Sequence, residues 1–228
     1  MHSQLPALFC HRTGHIKKYT THLRTKYLHR LKVKGWKQIF QANGQEKKVG
    51  VAILISVKID FKKRAIKRGP EGHFIILKGR IHQEDINIVN IYVPSIGAPK
   101  YIKKILDDFK KDIDRNTIIV GDFNTPMSRM DRSSKQNINK AVVPVNDTLG
   151  QMDLTDTHTT FHPKGAKYTF FSNAYVTFSK IGQMLGPRTR LNKVKKTEII
   201  SSIFSDHKGL KLETNPKGKN PTHSNHGE

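Results

Sequence analysis

Two rhythms of apolar residues run along this chain, and they alternate. Val51 to Val57 is an almost unbroken apolar run bounded by Gly50, the mark of a strand buried on both faces. Phe74 to Lys78 and Ile86 to Tyr92 predict two more strands, the second stopped by Pro94. Between Tyr101 and Ile113 the period changes. Ile102, Ile105, Leu106, Phe109 and Ile113 fall on one helical face with Lys and Asp opposite, and Pro99 suits the helix start. Thr117 to Val120 predicts the next strand, and Ile138 to Leu149 a weaker helix interrupted by Pro144. Gly35 to Phe40, Tyr168 to Phe171, Thr197 to Phe204 and Gly209 to Glu213 predict further strands. Up to about Lys34 no apolar period is visible, and from Asn215 onward Pro, Gly, Lys, Asn and His predict a disordered tail. Mostly strands with a few helices among them predict a layered α/β sandwich.

Charge adds a partner to this picture. The 228 residues hold 41 Lys and Arg against 18 Asp and Glu, a formal net charge of +23. The excess is spread along the whole chain and favours a polyanionic partner, DNA or RNA, through phosphate contact and counterion release. Cys10 is the single cysteine, so no internal disulfide forms and a reducing, intracellular setting is expected. No apolar run approaches a membrane span, and the opening Met1 to Pro6 lacks the features of a secretion signal.

Chemistry gathers where the strands end. Thr117 to Val120 delivers Gly121-Asp122-Phe123-Asn124, and an Asp and an Asn two apart in extended backbone point the same way. A carboxylate can take a proton from water while the amide holds that water in line. Tyr92 closes a second strand, and Asp206-His207 follows a third. Read singly, these are an Asx turn, a strand-end tyrosine and a polar turn.

Read in order, they resemble the endonuclease/exonuclease/phosphatase superfamily, and most closely the apurinic/apyrimidinic-like endonuclease domain of LINE-type non-LTR retrotransposons. The resemblance runs from about Thr21 to Thr214 through His29 to Trp36, Asn90 to Pro94, Gly97-Ala98-Pro99, Gly121 to Pro126, Met130 to Ser133, Tyr168 to Ser172, Ser179 to Ile181 and Ser205 to His207. It implies an α+β fold, the four-layer α/β sandwich of that superfamily. It implies that Asp122 activates water, Asn124 holds it, Tyr92 and His207 bind the scissile phosphate, and Asp206 with Asp122 sits at a Mg²⁺ site. It implies DNA contacts by Arg132 and by a hairpin spanning Ser172, Asn173, Thr177 and Ser179. The activity implied is Mg²⁺-dependent nicking of duplex DNA; a DNA substrate would point to the nucleus, while the sequence itself leaves nuclear and cytoplasmic residence open.

Three positions depart from the pattern. The family's first strand has no counterpart before Lys17, so the fold is expected to lack it. Thr20, in Tyr19-Thr20-Thr21-His22-Leu23, stands where the family has its metal-binding Glu, and Gly182 where it has the acid that orients the histidine. The expected division is residues 1–19 as an unrelated or disordered segment, 20–214 as the nuclease-like domain, and 215–228 as a disordered basic tail. Three readings stay open at this point: an impaired DNA phosphodiesterase, a DNA-binding remnant without turnover, and translated sequence from a decayed mobile element.

Overall fold

The computed structural model describes residues 8–11, 14–21, 36–44, 50–134, 137–163, 168–172, 176–200 and 209–214. They build two six-stranded sheets packed face to face, with helices against the outside of the second. The first sheet comprises β1 (Leu8–His11), β2 (Gly14–Thr21), β3 (Trp36–Asn43), β4 (Gly50–Ser56), β13 (Val194–Ile200) and β14 (Gly209–Thr214), in the order β13-β14-β1-β2-β4-β3. The second comprises β5 (Phe61–Arg68), β6 (Phe74–Ile81), β7 (Glu84–Tyr92), β8 (Thr117–Asp122), β9 (Leu154–Asp156) and β12 (Gly182–Pro187), in the order β5-β6-β7-β8-β12-β9. A separate hairpin pairs β10 (Phe170–Ser172) with β11 (Thr177–Ser179).

Alternation along the strands sorts the core into two layers. Ile53, Ile55, Ile75, Leu77, Ile88 and Val120 meet between the sheets. Ile76, Val89, Ile91 and Ile119, on the opposite face of the second sheet, pack under α1 (Ala98–Phe109) and α2 (Val143–Gln151). Each fully buried aliphatic side chain stabilises the fold by about 1.5–3 kcal/mol. One buried polar group ties the sheets: Asn90 donates from Nδ2 to the Ala52 carbonyl oxygen at 3.0 Å. Among the described residues no helix is long and apolar enough to cross a membrane.

The helices start where the prolines allow. Gly97, at φ 72°, turns the chain into α1, and Pro99 occupies the first turn, where a missing N–H has no cost. Pro144 likewise opens α2 rather than interrupting it, after a 3-10 turn over Lys140–Val142. A five-residue helix, α3 (Thr157–Phe161), is capped by Asp156, whose carboxylate accepts the His158 and Thr159 backbone N–H groups.

Two regions differ from the sequence reading. A strand forms at residues 8–11, where composition predicted none: β1 lies between β14, to which it is parallel, and β2, to which it is antiparallel. The gap between β14 and β2 exposes two strand edges, and four residues in extended backbone suffice to pair both. The boundary expected at residue 19 therefore falls inside β2, which runs on to pair Thr20 with Val51 of β4. The second difference is β5, whose Lys- and Arg-rich sequence shows no apolar alternation. It is an edge strand held by backbone pairing to β6, so five of its residues lie exposed in charge without loss of a core face.

At Gly121 the backbone of β8 comes too close to β7 for any side chain. A Cβ there would lie 2.4 Å from the Ile91 carbonyl oxygen. Gly121→Ala is expected to destabilise the protein by about 2–3 kcal/mol, read as a lowered chemical-denaturation midpoint.

Candidate active site at the ends of β7 and β8

Parallel pairing aligns the two strand ends, with Tyr92 in register opposite Asp122. Asp122 is held from both sides. Its carbonyl oxygen accepts from Val93 N–H at 2.9 Å, and the next residue, Phe123, donates to the Ile181 carbonyl oxygen at 2.8 Å. Phe123 is wholly buried in the helix-side core and anchors the turn. Asn124 then takes φ 47°, a left-handed conformation that Asn tolerates better than most residues. Its backbone N–H donates to Asp122 Oδ1 at 3.0 Å, and its Nδ2 donates to the Val93 carbonyl oxygen at 2.6 Å.

These bonds bring three predicted residues into one group. The Asn124 side chain also acts on the Tyr92 hydroxyl. Burial raises the Tyr92 phenol above its ordinary pKa and the Asp122 charge raises it further, while the Asn124 side chain pulls the other way. A raised phenol stays protonated at neutral pH and remains a donor, the form suited to a phosphate oxygen. Asp122, at 5% exposure, is desolvated, and its charge acts through a low-dielectric surrounding.

Behind Tyr92 stands a residue that no spacing in the sequence singled out. The His73 ring lies parallel to the Tyr92 ring, 5.9 Å between centroids, and donates from Nδ1 to the Tyr92 carbonyl oxygen at 3.2 Å. The Tyr92 N–H returns a bond to the His73 carbonyl oxygen at 2.8 Å. Tyr101 also packs on the His73 ring, its phenol pushed up to about 12 by burial with help from Glu71 and Asp108. His73 thus sets the Tyr92 ring orientation from the adjoining end of β6.

Arg132 and the hairpin also meet. Arg132 bridges Ser179, Ser133 N–H donates to the Phe178 carbonyl oxygen at 3.0 Å, and Phe178 N–H donates to Ser133 Oγ at 2.9 Å. Ser172 pairs with Thr177 at the hairpin end, and Phe178 rests against Phe171 and Tyr168. A second unforeseen group underlies this arrangement. The buried Lys180 ammonium binds the Asp156 carboxylate, the Thr159 hydroxyl at 2.7 Å and the Asp131 carboxylate at 3.4 Å. Asp131 accepts from the Met127 and Ser128 N–H groups at 2.9 Å. One lysine therefore fixes the loop after Asn124, the hairpin exit and α3 together, and removing one partner of such a pair typically costs about 3–5 kcal/mol. Nothing in the sequence pairs these residues, since the partners of Lys180 lie 21 and more positions away and face it only after folding.

Gly182 pairs directly with Asp122 across β12 and β8. Opposed residues in an antiparallel pair share a face, so any side chain at 182 would stand beside the Asp122 carboxylate. There is room for one: a Cβ at Gly182 would meet Thr169 Oγ1 at 3.5 Å, ordinary contact. Thr20 lies on β2, which faces β7 and β8 across the core. Asp206, His207 and Asn173 lie outside the described residues.

Mg²⁺ requires oxygen donors in octahedral array, usually including one or two carboxylates. Among the described residues no group of three or more His, Cys, Asp or Glu stands together to hold a metal ion. Asp122 is accompanied by an amide and a phenol, and its Oδ1 already accepts the Asn124 N–H. Among the described residues, one carboxylate with an amide and a phenol does not by itself make an octahedral oxygen site for Mg²⁺.

No protein-family model matches the chain. Solved structures do. A 3′-5′ exonuclease (NExo) from Neisseria meningitidis superposes with TM-score 0.67 at 19% identity, covering 88% of this chain and 89% of that one. An AP endonuclease from Archaeoglobus fulgidus gives TM-score 0.67 at 16% identity, covering 86% of both chains. The endonuclease domain of TRAS1, a telomere-specific non-LTR retrotransposon, gives TM-score 0.62 at 16% identity, covering 90% of this chain and 96% of that one. Two facing mixed sheets, an outer helical layer and near-complete overlap with these nucleases make this the endonuclease/exonuclease/phosphatase fold.

Proposed function

We propose that the chain is a DNA-acting domain of the retrotransposon endonuclease type whose binding surface persists and whose cleavage step is impaired. The observation that supports this reading is the meeting of Tyr92, Asp122 and Asn124 at one strand end, with Gly182 in register beside them. Asp122 accepts a proton from the attacking water, Asn124 holds that water, and the protonated Tyr92 phenol donates to a non-bridging phosphate oxygen. The basic surface, at +23 overall, draws the DNA backbone toward this end.

Among the described residues, the site has little negative charge beyond Asp122. Thr20 and Gly182 replace two acids of the family pattern. A threonine hydroxyl is a poor substitute for a carboxylate toward Mg²⁺, and loss of an acid that orients a histidine costs about 10–100-fold in activity or metal affinity. Gly182 also favours a second reading, a DNA-binding protein with no turnover at all.

Supercoiled plasmid separates the two. Incubated with the protein and Mg²⁺ or Mn²⁺, the plasmid is expected to be retarded in a gel at once and nicked only slowly. Asp122→Ala should remove the nicking and leave the retardation. Fast nicking that Asp122→Ala does not alter overturns the proposal, and bound but intact plasmid selects the second reading.

A further inference from the structure

The densest positive charge on the second sheet lies along its flank. β5 is the edge strand, and five of its eight residues, Lys62, Lys63, Arg64, Lys67 and Arg68, are basic and exposed. Pairing with β6 distributes them over both faces. Lys62 stands opposite Arg80 and Lys67 opposite Ile76 on the helix side, while Lys63 opposes Gly79 and Arg68 opposes Ile75 on the other; Arg64 sits at a bulge. Acidic partners are few. Arg64 lies 3.1 Å from Asp85 and Lys67 2.8 Å from Asp112, but Lys62 reaches Asp60 only at 4.0 Å, and Lys63 meets no acid among the described residues. Protecting an edge strand from another chain takes a charge or two and a bulge. Five cations on one short strand exceed that need.

The strip also has a direction. Arg68 pairs with Ile75, which pairs with Asn90, two residues before Tyr92. The strip therefore begins almost level with the active-site end, two strands or about 10 Å to the side, and descends about 20 Å to Lys62. A duplex laid across the strand ends cannot turn down this flank, because bending it so sharply is costly, whereas a single strand turns freely. β5 offers no exposed aromatic ring on which a base could stack; Phe61 is buried, and Ala65 and Ile66 complete the strand. Contact made here is with phosphates and carries no sequence preference.

We propose that the β5 edge is a track for the phosphate backbone of a single-stranded polynucleotide, separate from the Tyr92–Asp122 site. The track requires no cleavage and stands whether or not duplex is cut. The full chain and its Lys62→Gln/Lys63→Gln/Arg64→Gln/Lys67→Gln variant are compared by fluorescence anisotropy at about 50 mM salt. The probes are 20-nucleotide oligo-dT, 20-nucleotide oligo-rU and a 20-base-pair duplex. The fourfold variant is expected to lose about tenfold or more in affinity for both single strands, with a salt slope shallower by about 0.7 per lost contact. Duplex affinity should change less than about threefold, and the thermal transition should not move. Equal losses for duplex and single strands, or no loss for single strands, overturn the proposal. Failure of the wild type to bind duplex would instead strike the function proposed above and leave the single-strand arms readable. Should the fourfold variant not fold, Lys63→Glu alone carries the test, and unchanged single-strand affinity in that variant overturns the track.

Discussion

Raising salt from 50 mM to 200 mM is expected to weaken binding of this chain to a 30-base-pair duplex by on the order of a thousandfold. The expectation rests on the imbalance of 41 basic against 18 acidic residues. Each phosphate neutralised releases condensed counterions, so the logarithm of affinity falls with the logarithm of salt by about 0.9 per contact. A protein of this charge laid across about six phosphates shows a slope near −5. The site residues add little to that slope, because Tyr92, Asp122 and Asn124 bear no positive charge. Anisotropy titrations at four salt concentrations measure it directly. A slope shallower than about −2 would mean that the basic surface is solvated and unpartnered, and the DNA reading would lose its support.

The second large effect concerns Thr20 and Gly182, the positions at which the resembled family pattern has acids. The variant Thr20→Glu/Gly182→Asp is expected to nick supercoiled plasmid in Mg²⁺ about a hundredfold faster than the wild type. The Gly182 half of this expectation is structural. The position lies opposite Asp122, and the nearest atom to an added Cβ is 3.5 Å away, so the backbone there accepts a Cβ without moving. The Thr20 half rests on the family pattern and on the placement of β2 against β7 and β8. Gly182→Asp alone should give a smaller gain, on the order of tenfold, since one acid still lacks its companion. Such residues act as a unit, so the two gains need not multiply.

Much of the fold was legible because burial imposes period. β4, β7 and β8 announced themselves as apolar runs, and α1 as a 3.6-residue face with Pro99 at its start. β5 was illegible for the opposite reason: an edge strand exposes its side chains, and Lys62 to Arg68 obey no burial pattern. β12 was missed because Gly182 and Gly186 bracket it, and its burial between β8 and β9 is a property of the sheet rather than of the segment. β1 was missed because pairing to β14 and β2 outweighs the weak strand preference of its residues. Tyr92, Asp122 and Asn124 were picked out by strand-end logic, and the structure places them together at the ends of β7 and β8. His73 and Lys180 were not found. Each acts through neighbours that only the folded chain supplies, His73 behind the Tyr92 ring and Lys180 between Asp131 and Asp156.

The two acids and the surviving cluster can be tested together. If β7 and β8 present a phosphate-handling group that wants only its missing carboxylates, then activity regained by Thr20→Glu/Gly182→Asp must pass through Asp122. The decisive measurement is plasmid nicking in Mg²⁺ by that double variant with and without Asp122→Ala. The expected result is a clear gain in the double variant and its complete loss in the triple, with DNA retardation unchanged in both. A double variant no faster than wild type, or a gain indifferent to Asp122, would contradict the account.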